Sequence, residues 1–240
     1  MEWLEKRLLL IAAMVIITMM IIGTAFADPA GTGTLTPTSS SRATDPLAGQ
    51  LNAQGGNVTE IDITASLVTG KWAGFYGDIS GSITLESSGG DVFYNWTDAS
   101  PTGEVFATRN SATPTWDSIG CADITDIATE TTHLTLSTGA DNITNTFCET
   151  CGNHSAFSVS TTDFIADQCT YRSNAFGSAG DQTTNWDQIL LDDGNFVLYT
   201  TIIDQNTAGF DGNNYDFQLL VAENSSTSVL TNYYFYVEIA

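Results

Sequence analysis

The chain has 240 residues, of which 42% are hydrophobic and 10% aromatic, and its formal net charge at pH 7 is −22. This apolar content excludes a wholly disordered chain, because it suffices to form a hydrophobic core. The strong negative charge excludes nucleic acid and anionic lipid as charge-attracted partners, since both would be repelled. Beyond residue 27 the only basic residues are Arg42, Lys71, Arg109 and Arg172.

The first 27 residues have the three parts of an export signal. Met1–Arg7 is a short charged head, Leu8–Ile22 is an apolar run, and Ala25-Phe26-Ala27 has the small residues of a cleavage site. We therefore predict cleavage before Asp28 and an extracellular or cell-surface location, where disulfides persist. The alternative is an uncleaved N-terminal membrane anchor, because the apolar run approaches the roughly 20 residues that span a bilayer.

The next segment, Asp28–Gly56, is rich in Gly, Thr, Ser, Pro and Ala and carries almost no large apolar residues. Such a composition cannot bury enough surface to offset the entropy that is lost on ordering. We predict a flexible tether, or an assembly arm that adds as a strand to a neighbouring subunit.

From Asn57 the hydrophobic pattern takes the period of two that is typical of strands. Residues 61, 63, 65 and 67 are apolar and alternate with polar residues, so the same stretch is also a candidate for adding to a neighbour's sheet edge. We predict successive strands at Asn57–Leu67, at 72–85 with bends at its glycines, at Val92–Thr97 and at Glu104–Thr108.

The last third of the chain predicts two hairpins. Gln188–Leu191 and Asn195–Ile203 flank Asp192-Asp193-Gly194, in which Asp-Gly is a strong tight-turn pair. Asp216–Ala222 and Asn232–Ile239 flank a second turn region that begins at Asn224. Tyr233, Phe235, Val237 and Ile239 share one face of the terminal strand, as in a half-buried strand.

The middle of the chain, residues 114–173, is irregular, holds all four cysteines and predicts one short helix around Asp123–Thr131. Turn signals every 8–12 residues or so elsewhere indicate an all-β protein. We predict a single antiparallel β-sandwich over residues 57–240, jelly-roll or Ig-like, with the cysteine-containing segment as an insert.

Five Asn-x-Ser/Thr triplets match the acceptor sequence for N-glycosylation, to which an exported chain would be accessible. We predict glycans at Asn57, Asn95, Asn142, Asn153 and Asn224. Asn95 is the least favourable of these positions because it lies within a predicted strand beside Trp96.

An even number of cysteines in an exported chain indicates disulfides. The four cysteines, Cys121, Cys148, Cys151 and Cys169, allow three pairings, and all three stay open at the level of sequence. The Cys148-Glu-Thr-Cys151 spacing adds two alternatives. One is a zinc site that recruits His154 with Cys121 or Cys169, and the other is a redox motif, which would require a helix N-terminus.

The segment Asp211-Gly-Asn-Asn-Tyr-Asp216 concentrates side-chain oxygens of the kind that calcium prefers. If this loop binds calcium, we expect Asp211, Asn213 and Asp216 to be ligands; otherwise we expect no cofactor there. An ordinary turn is the competing interpretation, because Asp and Asn favour turns for local reasons.

The sequence shows no catalytic motif. The only histidines are His133 and His154, and no Gly-x-Ser-x-Gly nucleophile elbow is present. The abundance of carboxylates makes any glycosidase-like pair uninformative, so we predict a protein without enzymatic activity. Several aromatic residues fit either a second sandwich interface or a surface that stacks on sugars or proteins. These are Trp72, Tyr76, Tyr234 and Tyr236.

Several short motifs together resemble a known group of proteins. They are Trp72-Ala-Gly-Phe-Tyr-Gly77, Phe93-Tyr-Asn-Trp96, Gly209-Phe-Asp-Gly212 with Asp216-Phe217, and Tyr233-Tyr-Phe-Tyr-Val-Glu238. These motifs are similar to those of exported archaeal cell-surface β-proteins, over about Asn57–Ile239. The resemblance implies a surface or filament-forming component and assigns no catalytic residue.

We therefore predict an extracellular structural protein, a glycosylated and disulfide-braced β domain that self-assembles into a pilus-like filament or a surface coat. The alternative is a secreted or membrane-tethered, adhesin-like module that binds carbohydrate or protein. A secreted hydrolase with an acidic site is a third hypothesis. The expected partners are other copies of the chain or glycans, and membrane contact is expected only through an uncleaved N-terminus.

Overall fold

The computed structural model describes residues 28–98, 101–178, 180, 182–224 and 230–239. The predicted export signal lies outside the described residues, so its cleavage stays a prediction. Within the described ranges, no helix has the length and apolar character needed to cross a bilayer.

The described chain consists mainly of antiparallel β-strands, which confirms the predicted all-β class. The strands are β1 (Ala30–Gly31), β2 (Trp72–Gly77), β3 (Gly81–Glu86), β4 (Val92–Asp98), β5 (Gly103–Thr108), β6 (Gly120–Cys121), β7 (Phe157–Val159), β8 (Thr162–Phe164), β9 (Arg172–Phe176), β10 (Gln182–Asp192), β11 (Val197–Ile202), β12 (Thr207–Ala208), β13 (Asn214–Tyr215), β14 (Phe217–Ala222) and β15 (Tyr234–Ile239). The helices are α1 (Ile124–Leu134) and α2 (Ile143–Thr146), and a 3-10 turn spans Trp116–Ser118.

A large sheet of seven of these strands forms the centre of the fold. Its order is β1-β15-β5-β11-β10-β6, and β9 also pairs with β10. The hairpin of β10 and β11 forms as predicted, with Leu191 opposite Leu198, but its turn spans residues 193–196 because Asp192 still pairs with Val197. Successive residues of a strand point to opposite faces, so Val105 and Ala107 of β5 enter one hydrophobic cluster and Phe106 the other.

Both faces of the large sheet are covered, which gives the sandwich-like layering that was predicted. On one face the β2–β14 ribbon and the two helices pack through residues such as Leu219, Val221 and Ile127. The other face is covered by the β7–β8 hairpin and by Trp116. A buried glutamine of β10, Gln188, links the large sheet to the β2–β14 ribbon. It donates to the carbonyl oxygen of Gln218 at 2.6 Å and accepts from the amide of Leu220 at 2.9 Å.

Helix α1 begins where the sequence predicted it and extends three residues further, to Leu134. The Asp123 side chain accepts from the amides of Thr125 and Asp126, and Asp126 in turn accepts from the Asp123 amide. This capping box satisfies amide groups that a helix start leaves unpaired. Burial of Leu134 explains the extension, since its contact with the core offsets the low helix propensity of the threonines.

The second predicted hairpin is wrong, although both of its strands exist. β14 pairs with β2, and β15 pairs with β5 in the large sheet, so the two strands lie in different layers. The connection between them therefore crosses from one layer to the other; residues 225–229 of this connection lie outside the described residues.

The long strand predicted over 72–85 is divided into β2 and β3 by residues 78–80. The two pieces pair with different partners, β2 with β14 and β3 with β4. An Asp216 carboxylate oxygen accepts from the Ile79 amide at 2.8 Å. The break is therefore held by a hydrogen bond from a distant part of the chain.

Two predictions for the N-terminal part of the chain are wrong. The tether predicted to begin at Asp28 does not begin there, because Ala30–Gly31 forms β1 and pairs with Tyr236–Val237 at the edge of the large sheet. The strand predicted over Asn57–Leu67 does not form, since residues 32–70 contain no helix or strand. The alternating pattern of Asn57–Leu67 thus has no partner strand within the described chain.

Candidate functional site

The β3–β4 hairpin stands apart from the layered core. Among the described residues, these two strands pair only with each other. Every described side chain from Ser82 to Thr97 is exposed, so the hairpin has solvent on both faces. An isolated two-stranded hairpin is marginally stable in water, which makes this a segment that a third strand or a covering surface would stabilise.

One face of this hairpin carries an apolar stripe. Ile83 lies opposite Trp96, and Leu85 lies opposite Tyr94. The Tyr94 and Trp96 rings are 4.7 Å apart between centroids, and all four side chains are more than half exposed. Phe93 adds a ring that is 83% exposed. Contiguous exposed apolar surface of this kind marks interaction sites on soluble proteins.

A second unpartnered feature precedes the hairpin in sequence. In the segment Glu60–Leu67, which we call the alternating segment, Ile61, Ile63 and Leu67 are all more than half exposed. The stretch has the pattern of a half-buried strand but forms none in the described chain. Its hydrophobic residues are therefore available to a partner.

The structure shows which of the three possible disulfide pairings is present. Cys121 pairs with Cys169, and Cys148 pairs with Cys151. The predicted disulfides are thus present, and the zinc alternative is wrong, because the four cysteines all lie within the described ranges and none is free. The Cys148–Cys151 motif follows the C-terminal end of α2 instead of preceding a helix N-terminus, which is where redox motifs of this spacing lie.

The histidine considered for the zinc site has a structural role. His154 is buried, and its Nε2 atom accepts from the Cys169 amide at 3.1 Å. Its Nδ1 atom lies 2.7 Å from the carbonyl oxygen of Ser155, to which it donates when Nε2 is the acceptor. Both ring nitrogens therefore bond to the backbone beside the Cys121–Cys169 disulfide.

All five predicted glycosylation sites lie at the surface, and their occupancy stays a prediction. Asn57 and Asn95 are exposed, whereas Asn142, Asn153 and Asn224 are half-buried. Asn95 is more accessible than its place in a strand suggested, because β4 has solvent on both faces. Asn142 also caps α2, where its Oδ1 atom accepts from the Asn145 amide at 2.7 Å.

The carboxylates of Asp211 and Asp216, both predicted for calcium binding, accept hydrogen bonds from different groups. Asp211 is exposed and accepts from the Asn213 amide and from the Tyr215 hydroxyl. The Asp216 carboxylate is buried and accepts from the amides of Ile79 and Asn206. Local turn formation thus accounts for Asp211, and hydrogen bonds to Ile79 and Asn206 account for Asp216, whereas calcium binding stays an untested prediction.

The four aromatic residues singled out in the sequence differ in their ring contacts, and Tyr76 is 41% exposed although it packs against two rings. Trp72, Tyr76 and Tyr236 pack against other aromatic rings with centroids 4.7–5.8 Å apart. Tyr234 is 39% exposed. The more exposed rings are those of the hairpin, which the site prediction missed because their alternation looked like that of a half-buried strand.

A buried pair of carboxyl groups was also missed by sequence reasoning. Glu104 of β5 and Glu238 of β15 are directly opposite each other and are 4% and 3% exposed. Burial, together with the neighbouring Glu238, raises the pKa of Glu104 to about 8. Burial likewise raises the pKa of Glu238 to about 7, against the lowering effect of the hydrogen bond from the Ser160 amide.

This pair predicts that stability falls as pH rises from about 5 to 8. Unfolded Glu104 ionises near its ordinary pKa of 4.5, whereas folded Glu104 keeps its proton to about pH 8. In that window the folded state binds more protons, so the free energy of unfolding decreases with pH. One pKa unit corresponds to about 1.4 kcal/mol, so we expect a loss on the order of 3–5 kcal/mol from Glu104.

Urea unfolding at pH 5, 6.5 and 8 checks this prediction on a chain that begins at Asp28 with an acetylated, uncharged N-terminus, so that no terminal ammonium group alters the pKa of the pair. The Glu104→Gln variant should lose less stability than the wild type across this range, whereas the exposed Glu149→Gln control should follow the wild type. An equal slope for wild type and Glu104→Gln would contradict the assignment.

Comparison with known proteins gives no relative from which to assign a function. No protein-family model, curated protein or solved structure matches the chain.

Proposed function

We propose that the protein is an extracellular structural subunit that assembles with copies of itself into a filament or surface coat. In this proposal, the alternating segment Glu60–Leu67 of one copy adds as a strand to the β3–β4 hairpin of the next. The observation that carries the proposal is the hairpin with apolar residues on an open face. Strand addition supplies hydrogen bonds to an open sheet edge and a cover for apolar side chains.

Donor and acceptor match in length and pattern. The eight residues from Glu60 to Leu67 would extend over about 26 Å at roughly 3.3 Å per residue. β3 and β4 have 6 and 7 residues, so the donor covers either strand along its whole length. Ile61, Ile63 and Leu67 would share one face and continue the apolar stripe of the hairpin.

The contact is head-to-tail, because donor and acceptor are different parts of the chain. A contact of this kind leaves a free donor on one end of a dimer and a free acceptor on the other. It therefore propagates into an open filament, or closes into a ring if the rotation permits. The proposed mechanism thus leads to a polymer and not to a closed pair.

Electrostatics predicts how the assembly responds to salt. The donor carries Glu60 and Asp62, the hairpin carries Glu86 and Asp91, and neither contains a basic residue. These like charges repel each other, and the net charge of −22 adds to the repulsion. Since salt screens exposed charges, assembly should increase with ionic strength.

A proline substitution tests the donor strand. Ile63→Pro removes an amide that strand pairing requires, and it lies in a segment without regular structure, so the fold should tolerate it. The chain without residues 1–27 should form filaments in 2 M NaCl by sedimentation and electron microscopy, and Ile63→Pro should reduce the sedimenting fraction at least about tenfold. A Trp96→Thr variant, which retains strand propensity, should weaken assembly from the acceptor side.

Matched controls make this test specific. Leu47→Pro lies in the same unstructured stretch, and Ile165→Thr removes an exposed apolar side chain elsewhere; both should assemble like the wild type. A synthetic peptide of residues 57–68 should inhibit elongation by occupying the hairpin. A monomeric wild type at every salt concentration, or equal loss in Ile63→Pro and Leu47→Pro, would refute the mechanism.

The exposed aromatic rings also support the second candidate function, a carbohydrate- or protein-binding module. Tyr94 and Trp96 form an exposed aromatic surface, and Phe93 is a further exposed ring in the same strand. Aromatic faces are favoured at interfaces where one side is apolar and the other wet. Saturable binding of the monomer on a glycan array, lost in Trp96→Thr, would support this function in place of assembly.

A further inference from the structure

The residues that follow the predicted cleavage site are bound to the folded domain. The Ser160 hydroxyl donates to a carboxylate oxygen of Asp28 at 2.6 Å, and Pro29 is buried. Strand β1 then pairs with β15, and the Thr32 amide donates to the carbonyl oxygen of Phe235 at 3.2 Å. The first residue after the predicted cut therefore has a defined position in the structure.

That position adjoins the buried glutamate pair. The Ser160 amide donates to both carboxylate oxygens of Glu238, at 3.1 and 3.2 Å, while its hydroxyl binds Asp28. Ser160 thus joins Asp28 to Glu238, and Glu238 lies opposite Glu104. Glu104 and Glu238 are only 4% and 3% exposed. Two buried carboxyl groups side by side ionise only when a nearby cation balances them.

Basic side chains do not supply this partner. Among the described residues, Lys71, Arg109 and Arg172 are ion-paired with other carboxylates: Asp141, Glu130 and Asp167 respectively. Arg42 is exposed in the segment without regular structure. Within the described ranges, the Glu104–Glu238 pair and Asp28, which Ser160 links to Glu238, therefore have no side-chain cation beside them.

We propose that cleavage after Ala27 creates the missing cation, the α-ammonium group of Asp28, which pairs with Glu238 and Glu104. Hydrolysis of the Ala27–Asp28 peptide bond consumes one water and leaves a carboxylate on Ala27 and an amine on Asp28. The ordinary pKa of an α-amino group is about 7.7–8.0, so this amine takes up a proton at neutral pH. The inference rests on the predicted cleavage and is independent of the proposed assembly.

The consequence is that export processing stabilises the mature fold. Before cleavage, the backbone nitrogen of Asp28 is a neutral amide and cannot balance the buried carboxyl groups. After cleavage, an ammonium group next to Glu238 holds β1 at the edge of the large sheet by an ion pair as well as by strand hydrogen bonds. Processing then serves the folding of the secreted domain in addition to its release from the membrane.

N-terminal acetylation provides a direct test, because it removes this one charge without changing the sequence. The chain that begins at Asp28 should have a folding equilibrium constant at least about fivefold larger with a free amine than with an acetylated one, by urea unfolding at pH 6.5. A chain that retains Ala27, with its amine one residue further away, should resemble the acetylated form. The pKa of the free amine, followed by NMR titration, should lie above its ordinary range.

Glutamine variants assign the effect to the glutamates. In the double variant Glu104→Gln, Glu238→Gln, the advantage of the free amine should disappear and its pKa should return to the ordinary range. The control Glu149→Gln should retain both properties. Equal stability of the free and acetylated wild-type chains, or an advantage that persists in the double variant, would overturn the proposal.

Discussion

Replacing Glu130 with alanine is expected to lower the free energy of unfolding by about 3–5 kcal/mol, which is typical of breaking a buried ion pair from one side. The Glu130 carboxylate accepts from the Arg109 guanidinium, with one contact at 2.9 Å, and from the Tyr199 hydroxyl at 3.0 Å. Because Glu130 lies on α1 and Tyr199 on β11, these bonds fasten the helix to the central sheet.

The size of the effect follows from burial. The side chains of Arg109 and Glu130 are 12% and 4% exposed, so removal of Glu130 leaves a guanidinium and a tyrosine hydroxyl with little access to water. The partly exposed pair of Lys71 and Asp141 offers a control, since water screens it, and Asp141→Ala should cost about 1 kcal/mol or less. Urea denaturation of both variants measures the difference, and a cost for Glu130→Ala no larger than that for Asp141→Ala would contradict the prediction.

Removal of the Cys121–Cys169 disulfide is expected to cost about 4 kcal/mol. The two cysteines are 48 residues apart, and in the chain-entropy account a cross-link over such a loop restricts the unfolded chain by that amount. The bond also joins β6, at the edge of the large sheet, to the segment before β9, where Cys169 is fully buried. The irregular middle of the chain has few strands of its own, so this link holds it against the sheet.

The other disulfide supplies the matched control. Cys148 and Cys151 are 3 residues apart, so their bond closes a very short loop, and its removal should cost less than about 2 kcal/mol. Urea unfolding of Cys121→Ser, Cys169→Ser beside Cys148→Ser, Cys151→Ser compares the two directly. A smaller loss for the Cys121–Cys169 pair would contradict the assignment of its role.

Features that depend on neighbouring residues could be predicted from the sequence. The hairpin of β10 and β11 forms around Asp193-Gly194 as expected, because an Asp-Gly pair specifies a tight turn locally. Helix α1 starts at its predicted cap for the same reason. Strand β5 was also found, with its start displaced by one residue.

The pairing of distant strands could not be predicted in this way. β14 and β15 have the alternation of a hairpin, but each finds a better partner elsewhere, in β2 and β5. Alternation indicates that a strand has a buried face, and it carries no information about which strand lies beside it. The same limit explains Asn57–Leu67, whose pattern is that of a strand although no partner strand lies within the described chain.

The same distinction between local motifs and long-range packing applies to the candidate site. The sequence marked the cysteines, the glycosylation triplets and the acidic loop, because each is a local motif. It gave no sign that β3 and β4 stand free of the core, or that Glu104 and Glu238 are buried opposite each other. Both facts depend on how the layers cover the central sheet, since a polar residue in a strand is exposed or buried according to what packs on its face.

The sequence by itself therefore determined the all-β class, the turns, the helix and the presence of disulfides, because local propensity and alternation suffice for these. Only the tertiary structure decided the strand order, the cysteine pairing and the position of Asp28 beside a buried glutamate pair. Those features bring together residues as far apart as Asp28 and Ser160. Contacts over such a separation form only when the whole chain buries its apolar surface, so no local pattern encodes them.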